Sequence, residues 1–202
     1  MTSADAVRAA CAILESAARA LPNDRWASGR LIVGIDGAGG AGKSTLASGI
    51  RDAFAGRVTI VRCDDFYRPL IGAKYSQLTP EEAYENYFNW RRLRDEVVMP
   101  LRSGKRACYQ RYEWSTDRLA EWIEIEPREI VLMEGVFSTR PELHPLIDVA
   151  IFIETPRDER MRRMLSRRQS NTSWMEQWMA AEDWYLEHLA PHRRADLVIE
   201  GV

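Results

Sequence analysis

A lysine and two hydroxyl residues close a run of glycine and alanine in this chain: Gly37, Ala38, Gly39, Gly40, Ala41, Gly42, Lys43, Ser44 and Thr45. Gly37, Gly42, Lys43 and Ser44 satisfy the G-x-x-x-x-G-K-[ST] spacing, with only small residues in between. Small residues let the backbone wrap a phosphate closely, and glycine tolerates the positive φ angles that turn successive N–H groups inward. A helix opening at Lys43 adds its unpaired N–H groups and the positive end of its dipole. Lys43 is then placed for the β and γ phosphates of a nucleoside triphosphate, and Ser44 for its Mg²⁺. Carboxylates follow two further apolar runs. Asp64 and Asp65 come after 58–63, and Glu134 after 130–133. Either aspartate suits proton acceptance from an attacking hydroxyl, or its alignment; an Asp pair after a strand also serves as a turn cap. Glu134 offers the hard oxygen that Mg²⁺ prefers.

These residues need rigid elements behind them. Residues 31–55 read as a buried strand, a glycine-rich turn and a helix in succession, which is the arrangement the loop requires. The apolar runs at 58–63, 130–133, 149–153 and 195–199 are four more strands. With helices between them and right-handed crossovers, they predict a five-stranded parallel sheet covered on both faces. In such sheets ligands bind at the carboxyl ends of the strands, where Asp64, Asp65 and Glu134 fall. Residues 3–20 have helical spacing and are expected to pack on the core.

Between 66 and 127 the strand–helix alternation lapses. Thr79, Pro80 and Glu82 signal a helix start, with a helix expected to continue, interrupted or not, to about Ser103. Residues 108–114 and 122–126 read as a hairpin turning around 115–121. The aromatic residues there, Tyr109, Tyr112 and Trp114, suit either stacking on a flat ring or core packing. After Pro156 a helix carries Arg157, Arg160, Arg162, Arg163, Arg167 and Arg168. Arg160, Arg163 and Arg167 share one face, which is either a lid over a transferring phosphoryl group or a solvated basic face. Residues 173–190 form an apolar helix with Ser173 as its cap.

Composition narrows the function classes. The 202 residues carry 28 Lys+Arg against 30 Asp+Glu, a formal charge of −2, which gives no global attraction to nucleic acid or anionic membranes. No apolar run is long enough to span a bilayer. Cys11, Cys63 and Cys108 lie far apart, fit a reducing cytoplasm, and are expected to be packing residues.

The run GIDGAGGAGKST followed by CDDFY, the EGVF at 134–137, the arginine-rich 157–168 and the closing RRADLVIEG together resemble the uridine kinase-like branch of the P-loop kinases. That branch includes uridine–cytidine, nicotinamide riboside, pantothenate and phosphoribulose kinases. The resemblance implies an α/β P-loop NTPase three-layer sandwich, here 1–202, with an N-terminal helix within 1–29, an acceptor-binding insertion at 66–127 and an arginine lid at 157–172. It implies ATP and Mg²⁺, and a small-molecule hydroxyl acceptor. The expected roles are ATP binding by residues 37–45, metal binding by Ser44 and Glu134, catalysis by Lys43, Asp64, Arg163 and Arg167, and acceptor binding by Asp64, Tyr67, Asn89, Tyr112 and Arg160. Two positions depart from the uridine–cytidine pattern. Asn89 stands where an Asp after the Phe holds ribose hydroxyls, and Glu113, Trp114 and Asp117 stand in the Tyr-Asp-Phe and His region.

Overall fold

The computed structural model describes residues 2–20, 30–69, 78–166 and 172–201, with side chains from 175 onward in the last of these. Five strands form one parallel sheet: β1 (Leu31–Asp36), β2 (Val58–Arg62), β5 (Ile130–Glu134), β6 (Val149–Glu154) and β7 (Leu197–Glu200). Their spatial order is β2-β5-β1-β6-β7. Every residue of β1 and β5 is buried without alternation, the pattern of strands covered on both faces. Leu31, Val33 and Ile35 pack with Ala6, Ala10 and Leu14 of α1 (Ser3–Ala20) and Leu46 and Ile50 of α2 (Lys43–Ala53). Ile32, Val61 and Met133 face the opposite layer, with Phe137, Trp178 and Tyr185. The N-terminal helix therefore packs on the core, as its spacing predicts.

That opposite layer is built from α3 (Pro80–Tyr87), a helical stretch at 90–102 and α7 (Thr172–Leu189). At α3, Thr79 accepts from the Glu82 N–H while Glu82 accepts from the Thr79 N–H at 2.8 Å, a complete capping box with Pro80 in the first turn. The helix breaks at Phe88 and Asn89, where Phe88 makes a bridge to Tyr67. It resumes as α4 (Trp90–Leu93), a π turn (Arg94–Val98) and α5 (Met99–Arg102). β3 (Ala107–Glu113) and β4 (Arg118–Ile125) form the hairpin. Its turn is tighter than the expected 115–121. Asp117 adopts φ 51° and accepts the Tyr112 hydroxyl at 2.7 Å, so β4 already begins at Arg118. α6 (Arg157–Ser166) follows Pro156, and α7 begins one residue ahead of the expected cap, Ser173.

The cysteines are all free, but only Cys63 is fully buried; Cys108 faces solvent on β3, so it is no packing residue. No helix among the described residues is long and apolar enough to cross a membrane.

Candidate active site

The glycine-rich loop lies between β1 and α2, at the carboxyl edge of the central strand. Five of its carbonyls are tied to side chains or to the helix. Lys43 Nζ donates to the carbonyls of Gly37 (2.7 Å) and Ala38 (2.9 Å). Arg163 Nη1 lies 3.4 Å from the Gly40 carbonyl, and the Thr155 hydroxyl donates to the Ala41 carbonyl at 3.1 Å. The Gly42 carbonyl accepts the first α2 bond, from the Leu46 N–H, at 3.1 Å. Gly40 sits at φ +77°, and a Cβ there would come within 2.8 Å of the Arg160 carbonyl, so only glycine fits. The amides of Gly40, Gly42, Lys43, Ser44 and Thr45 have no protein acceptor among the described residues. Five donors at a helix N-terminus make an anion cup.

Asp36 anchors the cup's entrance. Its buried carboxylate accepts from the Gly37 N–H (2.7 Å), the Phe137 N–H (3.1 Å), the Thr139 N–H and hydroxyl (2.9 and 2.7 Å) and the Tyr185 hydroxyl (2.8 Å). Five donors suffice to hold a buried carboxylate. One side chain thus joins the loop, the segment after β5, and α7.

The acids line up beside it. In the β2–β5 register Arg62 pairs with Glu134, so Asp64 and Glu134 leave adjacent strands at one edge. Gly135, at φ +155°, makes this possible: a Cβ there would meet Cys63 Cβ at 2.5 Å. The Ser44 hydroxyl lies 3.2 Å from both Glu134 oxygens. Burial raises the Glu134 pKa, the Asp64 charge raises it further, and Lys43 and Ser44 oppose. A hydroxyl and a carboxylate in contact are hard donors of the kind Mg²⁺ takes. Among the described residues no three His, Cys, Asp or Glu cluster around a metal-sized site. Two protein donors, Ser44 and Glu134, suit an ion that keeps several of its waters and arrives with phosphates.

Asp64 and Asp65, in the short turn Cys63–Phe66, have different surroundings. Asp65 accepts the Tyr109 hydroxyl at 2.7 Å. Asp64 has no hydrogen-bond partner among the described residues and is exposed to solvent just past the end of β2. Partial desolvation by neighbouring protein atoms raises its pKa, against the charges of Lys43 and Arg62.

The other candidates are dispersed. Tyr67 is buried with its hydroxyl unpartnered, its ring centroid 4.8 Å from those of both Trp114 and Trp178. Asn89 caps the helix behind it, its Oδ1 3.3 Å from the Arg92 N–H. Tyr109 and Tyr112 are buried, whereas Trp114 is 41% exposed. Arg160 is buried against Glu182 (3.4 Å) and the Thr155 carbonyl (3.2 Å). Arg163 is also held by Glu159, which Arg162 shares, so carboxylates relieve the repulsion within the run. Arg167 lies outside the described residues. Asp36 and Glu182 were not among the candidates. Each had a faint signal: Asp36 ends an otherwise apolar strand, and Glu182 lies four residues after Trp178 and three before Tyr185, an acid inside an apolar helix face.

Residues 32–202 match the model of the phosphoribulokinase / uridine kinase family. The chain belongs to that family. Among its relatives, a uridine kinase of Halobacterium salinarum is 30% identical over 142 residues, 67% of this chain and 61% of that protein's own length. A uridine kinase of Brevibacillus brevis is 26% identical over 184 residues, covering 84% of both. The fold agrees with a solved structure described as a possible uridine kinase from Bacillus stearothermophilus (TM-score 0.70, 24% identity, covering 98% of this chain and 100% of that one). A D-glycerate 3-kinase from Cryptococcus neoformans shares the fold at TM-score 0.63 and 17% identity, covering 87% and 86%. In this member of the phosphoribulokinase / uridine kinase family, the match begins at Ile32 and so takes in the loop, both strand-end acids and α6.

Proposed function

We propose that the chain is an ATP-dependent kinase that transfers the γ-phosphoryl group to a hydroxyl of a small metabolite, a nucleoside of the uridine or cytidine kind. The observation that carries this reading is the set of five unpaired amides at 40 and 42–45 beside Lys43, with Asp64 and Glu134 on the adjoining strand ends. The cup takes the β and γ phosphates, and Lys43 leaves the carbonyls of Gly37 and Ala38 for them. Ser44 and Glu134 would hold Mg²⁺, which supplies charge neutralisation between the phosphates.

Asp64, unpartnered and with a raised pKa, accepts the proton of the acceptor hydroxyl. The acceptor oxygen bonds to the γ-phosphorus as its bond to the bridging oxygen breaks, and ADP leaves with that electron pair. Such a transfer asks the protein mainly for alignment and charge. Arg163 and Arg167 are assigned to the developing charge, with 157–172 as the lid. The insertion at 66–127 presents the acceptor through Tyr67, Asn89 and Tyr112, and Arg160 backs the site. The chain acts as a cytoplasmic enzyme, without nucleic acid or membrane partners.

A second reading within the same chemistry is a kinase for another small hydroxyl metabolite, such as nicotinamide riboside or pantothenate. Asn89, which hydrogen-bonds without charge and already serves as a helix cap, weakens the uridine assignment. ADP release with uridine, cytidine, nicotinamide riboside and pantothenate separates the cases. Release dependent on a nucleoside supports the first reading. Release that ignores every acceptor marks a nucleotide-hydrolysing switch instead.

A further inference from the structure

Glu182 stands midway along α7 and is fully buried. Both its oxygens accept the Gly39 N–H, at 3.0 and 3.1 Å. Oε1 also accepts the Trp178 indole N–H at 2.5 Å, and Oε2 lies 3.4 Å from Arg160 Nη1. Each contact belongs to a different part of the site. Gly39 is in the phosphate loop. Arg160 is on α6 and reaches the Thr155 carbonyl, whose own hydroxyl holds the Ala41 carbonyl of the loop. The Trp178 ring stacks on Tyr87 (5.5 Å, 19°) and meets Tyr67 edge-on (4.8 Å, 74°), next to the turn that carries Asp64.

A buried acid is a poor choice if packing were its only task, since well-packed apolar residues replace buried ion pairs with little or no loss of stability. Glu182 touches none of the five free amides, so it has no direct hold on the phosphates. We propose that Glu182 is a positioning residue for phosphoryl transfer, acting through Gly39, Arg160 and Trp178 to hold the loop, the lid helix and the acceptor-side aromatic wall in one register. The inference rests on the kinase reading. Nucleotide grip belongs to the cup, whereas alignment of the γ-phosphate with the acceptor depends on how these three parts sit together, and small misplacements there are costly.

Glu182→Gln keeps the volume but leaves one acceptor oxygen and brings an amide N–H₂ against the donors. With uridine as acceptor, kcat should fall 10- to 100-fold while KM for ATP stays within threefold, the signature of lost alignment rather than lost binding. A thermal melt of Glu182→Gln separates register from stability. The variant should stay folded at the assay temperature, so that the lost turnover is not lost protein. A readout independent of turnover is the ¹H–¹⁵N spectrum. In nucleotide-free protein, Glu182→Gln should shift the Gly39 amide and Trp178 indole signals together. Adding Mg²⁺ with a non-hydrolysable ATP analogue should move the Trp178 indole in wild type and leave it still in the variant. An unchanged kcat, a rate loss matched by unfolding at the assay temperature, or an indole that responds alike in both proteins overturns the proposal. If the wild type binds the analogue but phosphorylates nothing offered, the kinase reading fails, and the spectral comparison still decides the role of Glu182.

Discussion

The Tyr109 hydroxyl donates to Asp65 at 2.7 Å, and that one bond separates two adjacent aspartates that sequence alone leaves equivalent. Asp65 fastens β3 of the insertion to the end of β2. Asp64 makes no hydrogen bond among the described residues and stays exposed. Asp64→Asn should therefore lower kcat by about 10² to 10⁴, the span of a lost general base. Asp65→Asn should leave turnover within a few-fold and cost about 1 kcal/mol of stability, as should Tyr109→Phe. Steady-state rates and denaturant melts on the three variants check this, and equal rate losses in both aspartate variants would refute it.

The acid side of the pH profile follows from desolvation. Asp64 and Glu134 are both held above the ordinary carboxylate value of about 4. A carboxyl raised on folding stabilises the fold in its protonated form. Its contribution is complete below the unfolded pKa and is lost as pH rises through the folded one. Turnover has the opposite demand, because the base must be ionised. At pH 7 nucleotide-free Glu134→Gln, at the buried acid, should thus melt above wild type, with the gap closing toward about pH 4. Wild-type log kcat should fall by one unit per pH unit below the Asp64 pKa. Melting curves and a pH–rate profile test both halves; a wild type more stable than Glu134→Gln at pH 7 contradicts them.

Asp36 is expected to be the costliest of these acids to remove. Asp36→Ala strands buried donors from Gly37, Phe137, Thr139 and Tyr185. The loss should reach about 3 kcal/mol or more, roughly 10 °C in melting temperature for a chain of this size. Tyr185→Phe removes one donor and should cost about 1 kcal/mol. Calorimetric melts of the two variants compare them directly, and a loss in Asp36→Ala no larger than in Tyr185→Phe would show that the hub is not cooperative.

Much of this layout is legible in the chain because its signals are local. The G-x-x-x-x-G-K-[ST] run, the unbroken apolar strands and the Thr79–Glu82 capping box each announce themselves within a few residues. The placing of Asp64 and Glu134 follows from strand ends in a parallel sheet. What is hidden is long-range. Asp36 meets Tyr185 across 149 positions, and Glu182 meets Gly39 across 143, so no window of sequence contains either pair. The arginine helix shows the limit of spacing arguments. Periodicity puts Arg160 and Arg163 on one face, but partners decide their tasks: Glu182 takes Arg160 inward, while Glu159 and the Gly40 carbonyl take Arg163. The hairpin turn closes on Asp117, at φ 51°, whose carboxylate also accepts the Tyr112 hydroxyl from the facing strand.

The central claim is that the amides ahead of and within the start of α2 grip a triphosphate with Lys43 and Ser44. Isothermal titration of Mg²⁺ and a non-hydrolysable ATP analogue into wild type, Lys43→Ala and Ser44→Ala tests it most directly. The account predicts one site per chain in wild type. It predicts a loss on the order of 3 kcal/mol, about 10²-fold in Kd, for Lys43→Ala, and for Ser44→Ala a loss that appears only when Mg²⁺ is present. A folded wild type that takes up no nucleotide, or a Lys43→Ala protein that binds it equally well, would contradict the account.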